Sequence, residues 1–418
     1  MRIKETAHIH PSIVNENQRM NFLCISTYLK GQDFLRACKA AGNTVYLLTE
    51  ENLRHADWPF DAIDDIFLLK SPENTPEAHH SMELGLAWLM RERKIDRIVA
   101  LDDFDVEKAA FLRESFRIDG MGQTTARHFR DKLAMRVKAR DGGIRCPAFS
   151  SLFNNEEVNH FADTVPAPWV VKPRFEASAT GIKKIHSREQ LWQVINDLGD
   201  ERHTCLVEQF KPGDVYHVDS LSFNGKVVFS RVSQYLNTPF EVAHGGGIFQ
   251  SVVSEFGGHD DKTLRKDTAQ VMKTFGMQHS ASHTEWIRSH DDGEFYFLET
   301  SSRVGGAHIA EMVESSSGIN LWAEWARLED AQLRGNTYKA PRPKKDYAGV
   351  IISLARQEHP DMSAFDAPET VWTIKKKHHV GAIVRDGNRD RVLELLDQYA
   401  HLIARDYHAS APAPEKSL

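Results

Sequence analysis

Two glutamates flanking residue 290 supply the first chemical clue. In HTEWIRSHDDGEFYFLETSSR, Asp291-Asp292-Gly293 separates two runs rich in aromatic and β-branched residues, the pattern of a β-hairpin. A three-residue loop favours glycine at its last, left-handed position, and Gly293 stands there. A hairpin pivoting on Asp292 sets Glu285 opposite Glu299, and two like charges directly opposed destabilise a sheet unless something positive lies between them. A divalent cation is the natural occupant. The period of two then puts Ser301 and Arg303 on the face of Glu299, with His283 opposite Ser301. Oxygen ligands beside a guanidinium suit Mg²⁺ carrying a polyphosphate, because magnesium binds through one or two carboxylates plus substrate phosphate. A solvent-facing pair in another register is the alternative that the hairpin alone leaves open.

A second stretch, PWVVKPRFEASATGIKKI, ends a short apolar strand on Lys172, passes through small residues and leaves by Gly181-Ile182 into another strand. It reads either as a phosphate lysine followed by a phosphate loop or as an edge charge followed by a turn. These residues by themselves do not separate the two.

The elements that must carry these residues are read from periodicity. The chain has 418 residues, too many for one core, with 27% charged and 41% apolar residues and a formal net charge of -7. That balance argues against a large nucleic-acid or anionic-membrane surface. Cys24, Cys38, Cys146 and Cys205 are far apart, without CxxC spacing, and fit reduced thiols in a cytoplasmic protein. No apolar run is long enough to cross a bilayer, and the amino terminus lacks a secretory h-region. The histidine pairs His8/His10, His79/His80 and His378/His379 have no partner ligands at zinc-like spacing.

Residues 1–20 read as a flexible terminus. NFLCIST, DFLRACKAAG and NTVYLLTE then give a βαβ beginning, and SMELGLAWLMRERK with DRIVALDD extends it into a doubly wound α/β domain over 21–125. No G-x-G-x-x-G follows its first strand, so no dinucleotide is assigned to it. TTARHFRDKLAMRVKARDGG reads as one basic helix ending at Gly142-Gly143. Hairpins and helices follow in an α+β arrangement, with Asn224-Gly225 and Asp292-Gly293 as the strongest turns. NTYKAPRPKKD is a linker, 345–408 a small C-terminal α+β section, and 409–418 a disordered tail.

Taken in order, RDKLAMR, WVVKPRFEASATGI, CLVEQFKPGDVYHVDSLSFNGKV and HTEWIRS to FYFLETSSRVGGAHIAEMVESSSGINL resemble the ATP-grasp superfamily, especially its carboxylate–amine ligases such as L-amino acid ligases. The resemblance spans roughly Arg130 to Leu321. It implies a two-lobed ATP-grasp fold, with an N-lobe over 126–210 and a C-lobe over 211–335, preceded by a Rossmann-like pre-ATP-grasp domain. It also implies an ADP-forming ligation through an acyl phosphate, with ATP and Mg²⁺ as cofactors, Mn²⁺ as an ion that could substitute, and small carboxylate and amine substrates, amino acids among them. A homodimer is one assembly it allows.

Residue by residue, the resemblance makes Lys132 and Lys172 the lysines that reach the nucleotide phosphates, a task suited to a compact ammonium. Ser178, Ala179, Thr180 and Gly181 become the loop that covers those phosphates. Glu208, Gln209 and Phe210 become the hinge that holds adenine through backbone donor and acceptor. Glu285 and Glu299 become the metal ligands and Arg303 the stabiliser of the acyl phosphate. Three departures stand out. An acid often found two residues after the hinge glycine is absent, and Asp214 is the neighbouring substitute for ribose. Ser301 replaces an asparagine as the further metal donor. The phosphate loop has fewer glycines than in biotin carboxylases. For the substrate side, His244, Gly246 and Gly247 in AHGGGIF and Gly305 in RVGGA are candidates, beside the plainer reading of a glycine turn next to a surface histidine. Lys375-Lys376-Lys377 reads as a solvated run. An ATP-grasp carboxylase, a nucleotide-precursor synthetase and a non-catalytic ATP-binding regulator are the other readings. Arg174 and Glu176 are given no role.

Overall fold

Apolar runs alternating with amphipathic helices build a parallel sheet at the start of the chain. The computed structural model describes residues 19–69, 75–176, 180–239, 242 and 246–410. Strands β1 (Asn21–Ile25), β2 (Thr44–Glu50), β3 (Asp65–Leu69) and β4 (Arg97–Ala100) pair in parallel in the order β3-β2-β1-β4. Helices α1 (Gln32–Ala40), α2 (Pro76–Leu89) and α3 (Val106–Phe116) pack with them. Residues Phe22 to Ile25 are all buried, as expected of a central strand in a sheet covered on both faces.

The basic stretch that follows is two helices, not one. Helix α4 (Gln123–Arg127) stops and α5 (Lys132–Asp141) begins because the Asp131 side chain accepts the amides of Leu133 and Ala134, at 3.0 and 3.4 Å. An aspartate in that position satisfies the free N–H groups of a new helix start. Next comes a small antiparallel sheet made by β5 (Phe149–Ser151), β6 (Trp169–Pro173), β7 (Lys183–Ile185) and β8 (Cys205–Gln209), in the order β5-β8-β6-β7, flanked by α6 (Asn155–Thr164) and α7 (Arg188–Leu198).

A larger sheet forms the floor of the molecule. Its strands are β9 (Gly213–Phe223), β10 (Lys226–Tyr235), β11 (Phe249–Val253), β12 (Ser280–Ser289), β13 (Phe295–Ser301), β14 (Tyr347–Ala355), β15 (Thr370–Thr373) and β16 (His379–Asp386). They run in the order β13-β12-β9-β10-β11-β14-β16-β15, and β17 (His408–Ala409) pairs with β14. Helices α8 (His259–Phe275), α9 (Ile309–Ser317), α10 (Leu321–Leu333) and α11 (Arg389–Asp406) complete it. Asn224 and Gly225 both take positive φ, 50° and 72°, in the tight turn joining β9 to β10.

Two boundaries differ from the sequence reading. The 345–408 section is not a separate unit: β14 joins β11 edge to edge, with Ser251 opposite Val350, so it extends the C-lobe sheet. Ala409, expected in a tail, belongs to β17; residues 1–18 and 411–418 lie outside the described residues. The first domain is also not independent. Phe22, Phe34 and Trp58 share one buried cluster with Val215, Leu221, Trp325 and Val350. Phe34 meets Trp325 edge to face at 5.2 Å, worth about 1 kcal/mol beyond the area buried.

Candidate active site

The carboxylate hairpin is where sheet geometry and charge meet. Glu285 does face Glu299, and His283 faces Ser301. The route to that pairing differs from the expected one. Ser289 donates to Glu294 and Gly293 donates back to Ser289, so the loop has four residues, 290–293, with Gly293 at φ +73°. On its own this loop would place Glu299 out of step. A bulge restores the register: Trp286 pairs with Phe297 but Glu285 pairs with Glu299, leaving Leu298 as the extra residue. Trp286 and Phe297 are buried in the cluster under α5 and α8, whereas both glutamates face the other side.

On that side the charges interlock. Lys132, the first residue of α5, holds its Nζ 3.1 Å from Glu299 Oε2 and donates to the Glu176 carbonyl. Burial alone would raise the Glu299 pKa, but Lys132 and Lys172 outweigh it and hold the carboxyl near 2. Lys172, the fourth residue of β6, lies 2.6 Å from Glu208 Oε2. Burial pulls its pKa down to about 8, against the pull of Glu208 and with the help of Arg136 and Lys132. Arg136 is fully buried one turn after Lys132, its Nε 2.6 Å from Glu208 Oε1, though not aligned for a hydrogen bond. Its Nη2 donates to Glu208 Oε2 at 3.3 Å. Removing one member of this triad would strand a buried charge, at a cost of about 3–5 kcal/mol.

A hydrogen-bonded chain supports Glu285 from beneath. His217 joins Ser251 Oγ and Asp219 at 2.7 Å each, Asp219 joins His283 Nδ1 at 2.8 Å, and Tyr235 donates to Glu285 Oε1 at 2.9 Å. His283 Nε2 lies 3.5 Å from the same oxygen. Burial would keep His283 neutral, but Asp219 and Glu285 raise its pKa to about 9; burial likewise opposes ionisation of Asp219, which His283 and His217 hold far below the usual carboxylate range. His217, Asp219 and His283 are close enough together to suggest a metal centre. Every ring nitrogen is already committed to a partner, so they form a positioning network instead.

The donor set fits a divalent ion. Tyr235 and His283 use Glu285 Oε1 and Lys132 uses Glu299 Oε2, which leaves Glu285 Oε2 and Glu299 Oε1 as oxygens on the same face. Ser301 is buried at the end of the same strand. Among the described residues, the buried Thr180 Oγ1 has no hydrogen-bond partner, as a residue awaiting an oxygen-rich ligand would. Arg303 follows, its Nη1 on the Val304 carbonyl at 2.9 Å. Burial opposes its charge, but Asp103 and Asp102 from the loop after β4 outweigh this and raise its pKa.

No family model matches the chain. Over 269 residues it is 25% identical to an L-arginine-specific L-amino acid ligase of Bacillus subtilis, covering 60% of each chain. It is 20% identical over 187 residues to a D-alanine–D-alanine ligase of Fervidobacterium nodosum, covering 43% of this chain and 58% of that one. The chain thus spans about 60% of the length of these relatives. Among solved structures, an L-amino acid ligase from Bacillus licheniformis matches with a TM-score of 0.74 at 16% identity, over 93% of this chain and 98% of the other. An N5-carboxyaminoimidazole synthetase from Staphylococcus aureus, complexed with ADP, matches with 0.70 at 13%, over 92% and 98%. The chain has the ATP-grasp fold.

Within the ATP-grasp frame, several expected site residues move. Asp214 turns away from the opposed glutamates. Period two in β9 puts it with Tyr216, on the face opposite His217 and the glutamates, and it reaches His290 at 3.4 Å. The residue on the site face is Val215, which is apolar and buried. The hinge amides also differ from expectation: Gln209 donates to Ala148 and Phe210 to Pro168, so neither N–H is free for a base. Gly305 packs onto the histidine network, since a Cβ there would stand 2.8 Å from Asp219 Oδ1 and 2.9 Å from His283 Nδ1. That position leaves no room for a side chain. Gly246 lies against Ser410, and the Gly247 amide donates to Val242. Gly181 closes the loop at φ +71°. Ser178, Ala179 and His244 lie outside the described residues.

Arg136, His217, Asp219 and Tyr235 were not singled out from sequence. Arg136 had a signal, standing four residues after Lys132 and so on the same helix face. His217 and Asp219 had a weaker one, alternate positions on one strand.

Proposed function

We propose that the chain is an ATP-dependent carboxylate–amine ligase that forms an amide or peptide bond and releases ADP and phosphate. The observation that carries this reading is the convergence of Lys132, Lys172, Arg303 and the opposed Glu285 and Glu299 on one face of the fold. The names of the Bacillus relatives, L-amino acid ligases, support amino acids as the substrates.

In the proposed reaction a carboxylate oxygen attacks the γ-phosphorus, the bond to ADP breaks, and an acyl phosphate results. An amine nitrogen then attacks the acyl carbon, inorganic phosphate leaves, and the nitrogen loses a proton. Little covalent work falls to the protein in such phosphoryl transfers, so holding and neutralising charge dominates. Lys132 and Lys172 would exchange Glu299 and Glu208 for phosphate oxygens, and Arg303 would meet the charge on the acyl phosphate. Mg²⁺ held by Glu285 and Glu299 would supply charge neutralisation for the polyphosphate. Mn²⁺ is proposed as a substitute because the donors are carboxylate oxygens. Among the described residues, no helix is long and apolar enough to cross a membrane.

A screen of amino-acid pairs for ADP release, with mass detection of the product, tests the reading. Amine-dependent ADP formation is expected, falling at least about 100-fold in Lys172→Ala and Glu299→Ala. No condensation product from any pair, or near-normal turnover by either variant, would sink it; ADP release driven by bicarbonate alone would favour a carboxylase.

A further inference from the structure

Arg174 leaves β6 two residues after Lys172 and was given no role by the sequence. Its backbone amide donates to the Thr204 carbonyl at 2.9 Å, and its own carbonyl accepts the amide of Lys132 at 3.0 Å. Its side chain crosses to the residue just before Lys132. Nε donates to Asp131 Oδ1 at 2.9 Å, Nη2 pairs with Asp131 Oδ2, and Nη1 donates to the His203 carbonyl at 3.0 Å. Asp131 is buried and at the same time caps α5. One carboxylate therefore starts the helix that carries Lys132 and accepts the fork of an arginine fastened to the strand that carries Lys172. The far side of the ring is closed by Arg136 on α5 and Glu208, which meets Lys172.

We infer that Arg174 is a positioning residue that sets the spacing of Lys132 and Lys172 by clamping Asp131 from outside the nucleotide site. The inference rests on the ATP-dependent reading above. The clamp depends on shape as well as charge. A planar guanidinium can hold both carboxylate oxygens and a third acceptor, whereas an ammonium is a point charge and cannot reproduce that fork. The Arg174 guanidinium also lies over the rings of Phe153 and Phe175, at 5.8 and 5.2 Å, which helps to hold the fork in place.

The test is MgADP binding by calorimetry, with no carboxylate or amine present, in the full chain. Arg174→Lys is expected to weaken binding about fivefold or more in the wild-type background but less than about twofold when Lys132→Ala is already present, since paired changes in one network are not additive. Asp131→Asn keeps a capping side chain and removes the charge partner, so it is the second probe should Arg174→Lys fold poorly. It is expected to show the same dependence on Lys132. Equal weakening with and without Lys132, or a lowered melting temperature with unchanged MgADP affinity, would overturn the inference and leave Arg174 a structural pin. No MgADP binding by the wild-type chain would overturn the ATP-dependent reading and this inference with it.

Discussion

Lys172 keeps an ammonium where burial works against it, and that sets the first expectation at the scale of single residues. Burial draws its pKa down to about 8; Glu208 favours its charge, Arg136 and Lys132 oppose it, and Glu299 also lies within its field. A lysine loses its charge as pH rises through its pKa, so the phosphate-binding form is complete below about pH 7 and is depleted above about 8. MgADP affinity, measured without amine so that no substrate titrates, is expected to fall toward about tenfold per pH unit above that point. Affinity that stays flat from pH 7 to 10 would show that Lys172 does not lose its charge in that range while contacting phosphate. Lys172 was legible because an apolar strand ending in a lysine is conspicuous once a hinge and a carboxylate hairpin follow it. Arg136 was hidden by its setting in a basic helix, where one more arginine looks like surface. What makes it part of the site is Glu208, and that partner lies 72 residues further along the chain.

Among the elements, the exit of β13 makes a discriminating comparison. Gly305 is held against Asp219 and His283, whereas a Cβ on the next residue, Gly306, meets nothing within 4 Å. Gly305→Ala is expected to displace the network beneath Glu285 and cut turnover by about 100-fold, a size typical of misplacing a catalytic array by an ångström. Gly306→Ala should leave turnover within about twofold, because the added methyl enters open space. Steady-state kinetics on the two variants checks this, and equal losses would remove the close-approach argument. Secondary structure was largely readable here, since period two and the turn dipeptides marked β9, β10, β12 and β13. Pairing was not. That His217 and Asp219 support His283 requires β9 to lie beside β12, and no local pattern announces a neighbour 64 residues away. The basic helix was misread as continuous because an aspartate inside a charged stretch looks like one more solvated side chain until its caps are seen.

For the whole molecule, the domains expected from sequence share what they were expected to own separately. The Pro/Lys linker before residue 345 suggested a boundary, yet β14 crosses it to pair with β11 and bury Val350 and Ile351. Asn43 and Arg334 tie the first domain to α10 as well, with Asn43 Nδ2 2.8 Å from Asp330. A chain ending at residue 340 would leave β11 as an unpaired edge and uncover the buried Val252 and Val253, which is a hazard for association. It is expected to be aggregated or to lose its cooperative melt by circular dichroism, whereas the full chain should unfold in one transition. A soluble truncated protein with an unchanged melting temperature would mean that the sheet is divisible after all.

The extra residue at Leu298 has one more consequence, for anyone wishing to alter the protein. Because the bulge restores the register, the pairing of Glu285 with Glu299 is set apart from the length of the hairpin tip at Asp291 and Asp292. The tip is exposed, and it is joined to the rest by strands already paired on both sides of the carboxylates. That makes it an entry point for grafted sequence: a sensing module spliced between those aspartates would sit beside the segment after β8, where the His290 amide donates to the Pro212 carbonyl and Asp291 lies 3.9 Å from Lys211 Nζ, with the glutamates still facing each other.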